Sequence, residues 1–134
     1  MSRDASKALM VAVKAALIAT PAISTKVGTR IEANWSTVLD APFIRLSVPN
    51  VRPWEDDCGE GSEHTLRVHV FADLVTATDL AAAVREALQD ADLTIAGTDL
   101  RWLDYDQTIK QPDPDNPNLY MAIVAFKAVT TASE

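Results

Sequence analysis

The chain has 134 residues, 48% of them apolar and 23% charged, the ordinary make-up of one folded domain spanning residues 1–134 rather than of a disordered chain. A formal net charge of −7 argues against the basic surface that nucleic-acid binding uses. A single cysteine, Cys58, excludes an internal disulfide framework and any zinc site built from several cysteines.

Leu9, Val13, Ala16 and Leu17 recur at helical spacing, so residues 4–20 read as an amphipathic helix, with Ser2 or Asp4 as its cap and Pro21 as its stop. Arg3 and Lys7 followed by an apolar run mimic a secretory leader. Lys14 in mid-run and the helical period argue against that, and the stretch falls short of the ~20 residues of a membrane helix. The expectation is a cytoplasmic protein with Cys58 reduced. Val27-Gly28-Thr29-Arg30-Ile31 reads as a turn into a short strand, with Trp35 as an anchor for the segment after it.

Residues 42–49 alternate: Ile44, Leu46 and Val48 point one way, Arg45 and Ser47 the other, with Pro49 as the end of the strand. Residues 64–72 alternate too, with Leu66, Val68 and Val70 against Thr65, Arg67 and His69. The acidic stretch between them, 50–63, reads as a long connection. Thr78 is the expected cap of a second helix over 78–91, with Leu80, Val84, Ala87, Leu88 and Ala91 as its stripe. A short strand is expected at 93–95, a turn at Gly97, and a strand over 100–109 carrying Trp102 and Tyr105. Pro112, Pro114 and Pro117 mark 110–118 as a stiff loop. Residues 119–129 form a strand apolar on both faces, which belongs in mid-sheet or against a partner, and 130–134 should fray. Strands joined by loops pair antiparallel, so the predicted fold is α+β: one antiparallel sheet of about four to five strands with two helices packed on a face.

No catalytic constellation emerges. His64 and His69 lie five apart on a strand and face opposite sides, so one metal cannot take both. A Cys58/His64 pair lacks a third orienting group and reads as loop and strand-start residues. Asp113-Pro114-Asp115-Asn116 lacks the glycine and the terminal glutamate of a calcium loop, and reads as a braced turn. Neither a phosphate-binding glycine loop nor a serine-hydrolase or zinc-protease motif is present. The expectation is a protein that is not an enzyme and needs no cofactor or metal. What remains is interaction: Trp54 in an acidic setting, two long loops, and a doubly apolar strand. An alternative reading is a small ligand-binding or regulatory α+β domain with Trp102 and Tyr105 in the wall of a pocket.

Six segments in order resemble the tail completion (tail terminator, or tail-to-head joining) family of long-tailed bacteriophages and gene transfer agents. They are the alanine-rich helix from Ala8 to Leu17, Val27 to Ile31, Ala41 to Leu46, His64 to Ala72 with Asp79 to Leu88, Leu93 to Gly97, and Tyr120 to Ala128. The 50–63 and 110–118 stretches depart from the pattern, being longer and more acidic or richer in proline. The resemblance implies a non-enzymatic component of the virion or particle, assembled in the bacterial cytoplasm. It implies a ring, usually a hexamer, that caps the tail tube, ends tube growth and joins the head connector. Its implied partners are copies of itself, the major tail tube protein and the head–tail connector or stopper. DNA passes through the ring without sequence-specific binding, and no membrane is involved. Six copies would carry about −42 in all, and acidic walls keep DNA from sticking because phosphate affinity rests on Lys and Arg. On this picture Arg52, Trp54, Glu55, Asp56, Asp57, Lys110, Asp113 and Asp115 are expected at the subunit or tube interface, and Glu60 and Glu63 on an acidic lumen or surface.

Overall fold

The computed structural model describes residues 4–36, 38–56, 59–89 and 91–132. In chain order the elements are α1 (Ser6–Ile18), α2 (Pro21–Val27), β1 (Ile31–Glu32), β2 (Phe43–Asp56), β3 (Gly59–Ala72), α3 (Leu74–Leu88), β4 (Thr98–Asp113) and β5 (Asn116–Ala132). The strands form one sheet in the order β1-β2-β3-β5-β4. All neighbours are antiparallel except the two-residue β1, which runs parallel to β2. The α+β class and the helices packed on the sheet are as predicted, with one helix more.

That helix is α2. Proline at its first position lacks only an N–H the helix does not need, and its φ is already helical, so Pro21 both ends α1 and opens α2. Ile23 and Val27 of α2 are buried, and Gly28 leaves it at φ +59°, delivering the chain into β1 as the Val27–Ile31 reading expects. The cap of α3 is Asp73 rather than Thr78. Its carboxylate accepts the Thr76 N–H at 2.9 Å, while the Thr78 hydroxyl turns back to the Leu74 carbonyl, so the helix starts four residues earlier. At the start of α1 no side chain caps the first turn; Asp4 instead accepts the Ser6 N–H at 2.9 Å and the Ser6 hydroxyl. Ser2 lies outside the described residues.

Both stretches expected as loops are mostly strand. β2 and β3 stay paired from Phe43/Phe71 to Asp56/Gly59, and β4 and β5 from Thr98/Ala132 to Asp113/Asn116. Prolines and acids are tolerated there because β2 and β4 are the outer long strands of the sheet. A missing N–H on an edge leaves no ladder bond unmade, and charges on edges stay solvated. Pro49 falls in the β2 irregularity between Ser47 and Asn50 and does not end the strand. The 93–95 strand is absent: Ile95 makes one isolated bridge to Thr98 around Gly97, whose φ of +72° makes the turn. β5 runs on to Ala132, so 130–132 do not fray.

Alternation sets the core. Ile44, Leu46, Leu66, Val68, Val70, Leu103, Val124 and Phe126 face Leu9, Val13 and Leu17 of α1 and Leu80, Val84 and Leu88 of α3, all essentially without solvent contact. Each such side chain stabilises the fold by roughly 1.5–3 kcal/mol relative to exposure. β5 lies inside the sheet between β3 and β4, and Ala125 and Val129 on its other face are buried too, which accounts for its apolar run.

Candidate assembly surfaces

The predicted interface residues divide between opposite ends of the sheet. At one end, Arg52 pairs in register with Glu63, and Glu55 with Glu60. Asp56 is the last paired residue of β2, opposite Gly59; Asp57 and Cys58 lie outside the described residues. By sequence this end of the hairpin is acidic, with Glu55, Asp56, Asp57 and Glu60. Trp54 is half-buried, its ring at 5.1 Å and 85° to that of Trp102 on β4. Gly61 of β3 lies opposite Trp54 in the ladder. Trp54 therefore folds onto its own sheet. At the other end, Asp113 closes the β4–β5 turn, accepting the Asp115 N–H at 3.0 Å, and exposed Lys110 pairs in register with Ala122. The structure does not bring the two groups together.

The sheet face away from the helices carries a second feature. Trp35 donates its indole N–H to the Leu46 carbonyl at 3.0 Å and stands edge-on to His69 at 4.7 Å, which makes it the anchor the sequence suggests. Arg45 lies buried beneath, over the Phe43 ring at 5.1 Å and donating to the Asn34 carbonyl at 2.9 Å. His69 Nε2 sits 3.2 Å from the Ser47 hydroxyl. That is the spacing of a nucleophile and its base, but among the described residues His69 Nδ1 has no partner to orient the ring. Burial, and then the charge of Arg67, push the imidazole down to about 4, so it is a weak base at neutral pH. The pair is structural in design. Beyond it lies an open concavity of about 590 Å³ bordered by Arg67, Lys127, Asn50 and Ile109.

His64 faces the other way, as predicted, and is fully buried under α1. Its Nε2 accepts the Ala5 N–H at 3.2 Å, tying the start of α1 to the sheet, and burial lowers its basicity. Trp102 and Tyr105 do not share a pocket wall. Trp102 lies with Trp54 on the open face, whereas Tyr105 packs on Phe126 on the helix side, under the Arg85 guanidinium at 4.0 Å. Among the described residues no three His, Cys, Asp or Glu side chains cluster as a metal site would require. No single helix there is long and apolar enough to cross a membrane.

Two apolar features escape sequence reasoning based on buried stripes. A groove of about 620 Å³ runs along the outer side of α1, lined by Ala8, Val11, Ala12 and Ala15 and closed by residues 94–98. Val11 is 63% exposed in it. At the start of α3, Leu74 and Val75 stand out at 48% and 71% exposure. The signal was present in both cases: an apolar residue off the buried stripe.

A mostly antiparallel sheet with helices on one face defines an α+β domain, and it leaves apolar patches on its outside. The chain belongs to the family described as tail completion protein gp17, whose sequence profile matches residues 11–131. The fold is similar to that of a chain in the virion of a native gene transfer agent particle. The two superpose with a TM-score of 0.80 at 25% identity, over 91% of this chain and 93% of that one. No curated protein sequence matches it. The family resemblance in the sequence is thereby established, and the chain is a structural tail protein.

Proposed function

We propose that the chain assembles as a ring on the finished tail tube, ends tube growth, and presents its other side to the head connector while DNA passes through the centre. It catalyses no reaction in this role. The observation that carries the reading is the family match over nearly the whole chain, together with a fold shared end to end with a chain of a gene transfer agent virion. Closing a ring needs two different patches that meet head to tail. A domain with helices on one face and charged hairpin ends at opposite ends of its sheet has such distinct patches. The net charge of −7 per copy suits a channel that must not hold DNA. The partners in this reading are the tube protein below and the connector above.

The test is removal of the chain from particle-producing cells. The expected result is tubes of variable, extended length that fail to join filled heads. Tails of uniform length attached to heads in its absence would overturn the reading.

A further inference from the structure

The α1 groove and the Leu74–Val75 projection lie toward opposite ends of the sheet. Groove residues Gly97 and Thr98 sit where β4 begins; Thr98 pairs with Ala132, and Thr131 with Gly61 near the start of β3. Leu74 comes two residues after Ala72, the last residue of β3. From Gly61 to Ala72 a strand rises about 36 Å, so neither feature can cover the other within one copy. Their chemistry is complementary. The groove is apolar with the exposed Lys7 on its lining, and Asp4, held by Ser6, at its end. The projection is a pair of branched apolar side chains beside two acids, Asp73 and Asp79. Asp73 is held ionised by the Thr76 N–H and hydroxyl, and Asp79 is 3.8 Å from Lys26.

We infer that the occupant of the α1 groove is a second copy of this chain, which inserts Leu74 and Val75 among Ala8, Val11, Ala12 and Ala15 and sets Asp73 toward Lys7. The contact is heterologous: each copy gives its projection to one neighbour and its groove to the other. Repetition of such a contact closes a ring when the rotation between copies divides a full turn. The alanines fit this role because small side chains leave room for a branched one to enter, and burying exposed apolar surface drives the association. The inference rests on the ring reading and names the surfaces through which that ring would be built.

Cross-linking in assembled particles tests it. In a Cys58→Ser background, Val11→Cys and Val75→Cys are introduced together and singly, and particles are treated with a short bismaleimide. The double variant is expected to give a ladder of covalent multimers, and each single variant none, because a head-to-tail contact never places a residue against its own copy. Val75→Glu, at an exposed position and with its fold checked by circular dichroism, is expected to reduce incorporation into particles about tenfold, as for a buried interface anchor. Dimers from a single-cysteine variant would overturn the head-to-tail pairing. Monomer only from the double variant, in particles with normal tails that hold several copies, would overturn these surfaces and leave the ring standing. Particles whose tails hold one copy or none would overturn both.

Discussion

His69 shows how one buried side chain sets the pH range of the fold. Folded, it binds its proton only near pH 4; unfolded, near 6.5. The unfolded chain therefore holds more protons between these values, and stability falls as pH drops through that window. His64, also lowered by burial, acts in the same sense. The expected loss from His69 is about 3 kcal/mol. It is read as a fall in the urea midpoint between about pH 7 and about pH 4.5, and His69→Phe, which keeps a ring against Trp35, is expected to flatten it. An equal fall in the variant would remove His69 as the cause. Gly61 makes a different demand at the same scale. A Cβ there would lie 2.0 Å from the Thr130 carbonyl oxygen on the neighbouring strand, and backbone cannot swing aside as a flexible side chain can. Gly61→Ala is expected to destabilise by roughly 1–3 kcal/mol, measured by thermal denaturation; an unchanged midpoint would mean that β3 and β5 separate there at little cost.

At the scale of elements, α3 depends on a cap that lies outside its apolar stripe. Asp73 accepts from both the backbone and the hydroxyl of Thr76. Asp73→Ala is expected to lower the denaturation midpoint, and Asp73→Asn to restore most of it, because asparagine offers the same acceptor. Thr78→Ala, by contrast, is expected to change little, since its hydroxyl only doubles a bond to a helical carbonyl. The stripe of Leu80, Val84 and Leu88 was plain in the sequence because its period is local; the start of the helix was not, because Thr78 and Asp73 both precede apolar residues at helical spacing. The hairpin ends were hidden for a related reason. Glu55, Asp56, Glu60, Glu63, Pro112 and Pro117 are loop residues by composition, yet they lie within strands at the far ends of the two hairpins.

At the scale of the molecule, charge and shape separate. The acids of the β2–β3 hairpin end belong to one end of the sheet and the Asp113–Asp115 turn to the other. If the hairpin end lines the channel, charge reversal of Asp56 and Asp57 is expected to slow DNA delivery while particles still assemble. Delivery at the normal rate would place this end elsewhere. The apolar groove and projection share no residue with either acidic end, so their variants are expected to change assembly and not the passage of DNA through particles already formed. The candidate residues of the sequence were thus legible as charged or aromatic outliers, whereas Val11 passed for an ordinary helix residue and Leu74 and Val75 fell between the expected strand and helix.

By itself the sequence determined the α+β class, the faces of the strands and the buried stripes of α1 and α3, because alternation and helical period are written in neighbouring residues; the family showed in the resemblance of six segments in order. It also set His64 and His69 on opposite faces, since a strand leaves them no choice. Only the tertiary structure decided which strands lie at the edges, that Pro21 opens a helix, that Trp54 meets Trp102, and that an α1 surface remains uncovered. Those facts depend on which distant segments pair and in what register, and residues far apart in the chain carry no local mark of the neighbour they will meet.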